Sequence, residues 1–99
     1  MGREPRYHPL FERDILNGAN WYAKSSRALA LDFTRKVESA VLELLDAPDR
    51  RSQIEYGMRY WPVVRFPHLI LYDITDTEVL LIGVFHPSQE PGKWLERSS

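Results

Sequence analysis

Residues 58–94, MRYWPVVRFPHLILYDITDTEVLLIGVFHPSQEPGKW, decide the fold. They read as three successive strands. Met58 and Tyr60 alternate with Arg59, and Pro62 interrupts the run, so the first strand is bulged or lies at an edge there. In His68–Ile74, the side chains of Ile70, Tyr72 and Ile74 share one face, and Leu69, Leu71 and Asp73 share the other. A polar turn at Thr75, Asp76 and Thr77 leads into Glu78–His86. There both faces are apolar: Val79, Leu81 and Phe85 against Leu80, Ile82 and Val84. Such a strand is central in its sheet or covered by another layer.

Two helices are expected ahead of this meander. Pro9 suits a first helical turn, where its missing N–H costs nothing, and Glu12 and Asp14 fall near the positive end of the helix dipole. Phe11, Ile15, Ala19 and Tyr22 form one apolar face, with Leu16, Trp21 and Ala23 beside it and Trp21 expected in the core. Gly18 weakens this helix by about 1 kcal/mol relative to alanine. After Lys24, Ser25 and Ser26 supply an N-cap. The second helix carries a stripe of Leu29, Phe33, Val37, Ala40, Val41, Leu44 and Leu45, and Asp32 with Lys36 is a favourable i,i+4 pair. Pro48 stops it, and residues 49–52 read as polar and exposed. A two- to three-residue connection forces the helices into an antiparallel hairpin. Residues 4–8 form a short first strand, with Pro5 at an edge or at the strand's start.

The expected fold is therefore α+β: a short N-terminal strand and an antiparallel two-helix hairpin packed on a three- to four-stranded antiparallel sheet, in the order βααβββ. Packing the hairpin across the sheet buries both apolar surfaces at once. One domain spans residues 1–99, enough for one modest core.

Composition narrows the function classes. The apolar fraction is 43% and the charged fraction 27%, as in an ordinary soluble globule. No run approaches the ~20 apolar residues of a membrane span, and the start of the chain lacks a signal-peptide core, so a cytoplasmic location is expected. With no cysteine, thiolate metal sites, thiol nucleophiles and disulfides are excluded. Thirteen basic and 14 acidic residues give a net charge of −1, which argues against a strongly basic nucleic-acid footprint. His8, His68 and His86 show no metal-ligand spacing, and no Gly-rich phosphate loop is present, so neither metal nor cofactor is expected.

The βααβββ order, the FPHLILY stretch and the ending VLLIGVFHPSQEPGKWLER resemble the RelE/ParE superfamily of bacterial type II toxins. In that superfamily a strand opening F-P-[YFH]-x-I-x-Y is common, and the last strand ends in a hydrophobic–His pair followed by a polar segment and a Trp. Here Phe66–Tyr72, Phe85-His86 and Trp94 stand in those places. The segments at Ala19–Tyr22 and Ala30–Phe33 also match its helical hairpin. The resemblance implies a growth inhibitor, of the kind tied to plasmid stabilization, held inactive by a cognate antitoxin in a hetero-oligomer. RelE-like members cut mRNA in the ribosome; ParE-like members inhibit DNA gyrase without nuclease activity; a non-toxic member that only binds its antitoxin is the remaining alternative. The FPHLILY form lies nearer the ParE-like branch, because Leu69 and Leu71 stand where RelE-like nucleases often carry a basic group.

A RelE-like ribonuclease needs a base for the 2′-hydroxyl and cations for the phosphorane charge. His86, Arg59, Arg65 and Tyr72 are the candidates. Each has a structural alternative: a capping histidine, solvated strand arginines, and a core tyrosine with its hydroxyl at the rim. Trp61, Trp94 and Lys93 are expected on a partner-binding surface, with Trp61 and Trp94 partly exposed. An antitoxin of this family places a helix in a groove and an extended segment along a sheet edge, here near Trp61 and Pro62 and on the flank of the hairpin. The helix–sheet junction is centred on Val37 and Leu44. Leu44→Ala is expected to cost about 2–5 kcal/mol in a urea melt; a loss below about 1 kcal/mol would remove Leu44 from the core.

Overall fold

The computed structural model describes residues 2–51, 53, 57–89 and 96–97. Strand β1 (Glu4–Tyr7) precedes helices α1 (Phe11–Ala23) and α2 (Arg27–Asp46). A 3-10 turn (Pro48–Arg50) then leads to strands β2 (Arg59–Pro62), β3 (Leu69–Ile74) and β4 (Glu78–Phe85). This is the expected α+β arrangement. The sheet order is β1-β4-β3-β2. Strands β2, β3 and β4 form the antiparallel meander, while β1 joins β4 in parallel, so the sheet is mixed. β1 occupies an edge, as Pro5 requires, and β2 occupies the other.

Local chemistry sets the helix ends. Ser26 Oγ accepts the Leu29 N–H at 3.2 Å, the expected N-cap. Leu29 itself is exposed, so the buried stripe of α2 starts at Phe33, one turn later than its sequence pattern suggests. α1 starts two residues after Pro9. There His8 Nδ1 accepts the Leu10 N–H at 3.0 Å, and the His8 carbonyl accepts the Phe11 N–H at 2.9 Å.

The main core lies between the hairpin and one sheet face. Phe33, Val37 and Leu44 meet Ile70, Tyr72, Val79 and Leu81 there. A smaller cluster of Met58, Leu71, Ile82 and Phe85 lies on the opposite face. Strict alternation would place Phe85 with Leu81 and Val84 with Ile82; the structure reverses this. Tyr72 pairs with Leu81, but Leu71 pairs with Gly83, leaving Ile82 as the extra residue of a β-bulge. The inserted residue brings Val84 to the helix side and Phe85 to the far side.

The bulged end of β4 extends past β1, whose last partner there is Leu81. A side chain from α1 completes this open edge. Asp14 Oδ2 accepts the Val84 N–H at 3.0 Å, and the Asp14 carboxylate also grips Arg97 through both oxygens. Arg97 lies 4.8 Å over the Phe85 ring. Both partners are mostly buried, which suits a bidentate, charge-assisted pair.

Gly18 has a packing role that helix propensity does not reveal. A Cβ there would lie 2.5 Å from Cε2 of Phe33, which is fully buried. Gly18→Ala is therefore expected to destabilise by about 1–2 kcal/mol in a urea melt, because overpacking exceeds the gain in helix propensity. A stabilised variant would show that the Phe33 ring yields without cost.

Candidate functional site

The ends of β3 and β4 bring two imidazoles together. His68, just before β3, and His86, just after β4, have ring centroids 5.3 Å apart at an interplanar angle of 85°. His68 is only 8% exposed. Its ring packs edge-on to Phe33 at 4.7 Å and to Tyr22 at 5.9 Å. Its Nδ1 has no hydrogen-bond partner among the described residues. Burial, and second the neighbouring His86, lower the His68 pKa to about 4, so the ring is neutral at physiological pH.

His86 is held differently. Its Nδ1 accepts the Ser88 N–H at 3.0 Å and lies 2.7 Å from Ser88 Oγ, so the neutral ring carries its proton on Nε2. The His86 N–H donates to Gln89 Oε1 at 2.7 Å, closing a tight turn. Both imidazoles line a cleft of about 390 Å³ with Asp14, Trp21 and Ser88. None of the described residues lining the cleft is Lys or Arg, although Arg97 backs it through its pair with Asp14.

The other proposed catalytic residues do not converge on this cleft. Tyr72 is fully buried, and its hydroxyl donates to the Pro48 carbonyl at 2.8 Å. Desolvation raises its pKa, against the opposing pull of Arg59 and Arg51. Arg59 pairs across the strands with Tyr72, and its Nε donates to the Arg51 carbonyl at 2.7 Å. Arg65 is exposed in the β2–β3 turn with φ of 71°, a left-handed value at a position that favours Gly or Asn.

Trp61 and Trp21 also depart from expectation. Trp61 is 3% exposed and joins the main core instead of the surface, packed edge-on to Tyr72 with Arg50 and Arg51 over its ring. Trp21 is 65% exposed rather than core. At roughly 100° per residue it falls outside the arc that holds Phe11, Ile15, Ala19 and Tyr22. Lys24 Nζ lies 5.0 Å above it. Lys93 and Trp94 lie outside the described residues.

A larger groove, about 670 Å³, runs between the β1 end and the hairpin. Its walls include Phe11, Ile15, Val41, Leu42 and Leu45, with Glu12 and Glu38 also lining it. Leu42 stands well exposed there.

A family model described as the ParE toxin of type II toxin–antitoxin systems, parDE, matches residues 6–91. The chain belongs to the ParE toxin family. The fold agrees with a solved structure of the chromosomal ParDE TA system from P. aeruginosa, at a TM-score of 0.75 and 14% identity, covering 85% of this chain and 95% of that one. No curated protein matches the chain significantly. No helix among the described residues is long and apolar enough to cross a membrane.

Within this ParE-family chain, sequence reasoning found His86 but missed His68. The residue lies inside the FPHLILY stretch and carries no separate signal of its burial. The unfolded chain takes up the His68 proton near pH 6.5, and the folded chain only near pH 4. The unfolded state thus binds more protons in that window, and stability falls as pH drops through it. Wild type should lose about 3 kcal/mol more than His68→Phe between neutral pH and pH 4, measured by urea melts. Parallel pH dependences would contradict the buried neutral histidine.

Proposed function

We propose that this type II toxin inhibits growth by binding DNA gyrase, that it acts in the cytoplasm, and that a cognate antitoxin neutralises it. One observation carries the choice of a binder over an mRNA endoribonuclease. Among the described residues no Lys or Arg lines the imidazole cleft, the adjacent Arg97 is neutralised by both oxygens of Asp14, Arg59 is turned to a backbone carbonyl, and Tyr72 is sealed in the core. Phosphoryl transfer by such a site would lack positioned cations beside its base. Gripping a large enzyme needs surface complementarity instead.

The groove beside the hairpin supports the antitoxin reading. Its apolar walls suit one face of an amphipathic helix, and Glu12 and Glu38 suit basic residues flanking that face. Leu42 is exposed, so Leu42→Glu should leave the fold intact while weakening antitoxin binding by about tenfold or more.

The deciding assay is supercoiling by purified gyrase. Inhibition is expected from the wild type and from the double variant His86→Ala, Arg65→Ala, apart from modest contact losses. Normal supercoiling at saturating toxin would reject the gyrase reading. If that double variant instead lost toxicity while remaining folded, and wild type cut mRNA on ribosomes, the chain would be a nuclease.

A further inference from the structure

The turn between α2 and β2 carries a basic cluster that the imidazole cleft and the groove do not use. Arg50 and Arg51 place their guanidinium carbons 5.7 and 5.2 Å from the Trp61 ring centroid. Stacking on an aromatic face fixes a guanidinium plane while leaving its N–H edge free to donate. Arg59 reaches the same turn through the Arg51 carbonyl. The other end of the turn is tied by the Tyr72 hydroxyl to the Pro48 carbonyl. Two arginines are thus held on an anchored turn and a third reaches it from β2, and no ion pair joins any of them to a carboxylate among the described residues. The nearby Asp49 is paired with Arg3 at 3.3 Å.

We infer that Arg50, Arg51 and Arg59 form a carboxylate-binding patch that receives Asp or Glu side chains from a protein partner. The patch deepens the antitoxin reading and rests on it: the bound antitoxin segment carries the acids. A nucleic-acid strand fits less well. Its phosphates extend the negative charge beyond a three-arginine patch, and Asp46 and Asp49 line a hollow with Arg50 on one flank. Discrete carboxylates meet the forked guanidinium geometry without crossing that acidic border. The simpler alternative, that the arginines only roof Trp61, makes no demand on the charge of a ligand.

The test uses the full chain and a labelled oligoglutamate peptide, with a single-stranded DNA oligonucleotide of equal length as comparison, read by fluorescence anisotropy. The peptide should bind more tightly than the DNA. The double variant Arg50→Gln, Arg51→Gln should weaken it by about tenfold or more at low salt, and the difference should shrink at high salt. The double lysine variant should recover only part of the loss, because it restores charge but not the fork. A urea melt of each variant separates lost binding from lost folding. Absent peptide binding, equal or tighter DNA binding, or an unaffected folded glutamine variant would each overturn the patch. Rescue of growth by the co-expressed antitoxin tests the underlying reading separately, so the patch fails alone when rescue persists and peptide binding is absent.

Discussion

The Phe33 ring is the contact on which the rest of the molecule depends. It lies 5.3 Å from Tyr22 of α1, 5.2 Å from Phe66 of the β2–β3 turn and 4.7 Å from His68 at the start of β3. One side chain of α2 therefore fastens the other helix, the turn and the meander. The arrangement requires Gly18, since any larger residue on α1 would press into the ring. It also explains the chemistry of His68. The imidazole fills an aromatic site, and that burial keeps it neutral and close to His86. The candidate cleft is thus a by-product of how tightly the hairpin seats on the sheet.

Its surroundings determine what the cleft can do. A histidine whose Nδ1 is satisfied by Ser88 has one nitrogen left for outside contact. The one guanidinium beside the cleft among the described residues, Arg97, is held by both oxygens of Asp14, and Arg50, Arg51 and Arg65 lie elsewhere, on the turn over Trp61 and at the tip of the β2–β3 loop. Arginines free of a carboxylate partner and the imidazoles are spatially separated, although β2, which carries Arg59, and β4, which His86 follows, belong to the same small sheet. This separation favours recognition over catalysis, because acid–base help and phosphate neutralisation must act on the same atoms to accelerate cleavage.

The helical hairpin and the meander were legible in the sequence because each buries a periodic face. Val37, Ala40 and Leu44 on α2, and Ile70 and Tyr72 on β3, point where their spacing says they must. Features without a periodic signal were not legible. Alternation cannot register the extra residue Ile82, so Val84 and Phe85 exchange sides. β1 is exposed along its whole length, and nothing in it specifies a parallel partner. Trp61 looked like a surface residue, yet it joins the main core, and Arg50 and Arg51 lie over it from a turn read only as polar. Asp14 looked like a helix-dipole residue, while its partner Arg97 lies 83 positions away.

Parallel pairing of β1 with β4 also orders events in time. Elongation delivers β1 ahead of both helices and the meander, yet its hydrogen-bonding neighbour is β4. A nascent chain can assemble the hairpin early from local contacts, but the four-stranded sheet must wait until β4 has emerged. Completion of the sheet is consequently gated by the emergence of β4, distant in sequence from the strand it must receive.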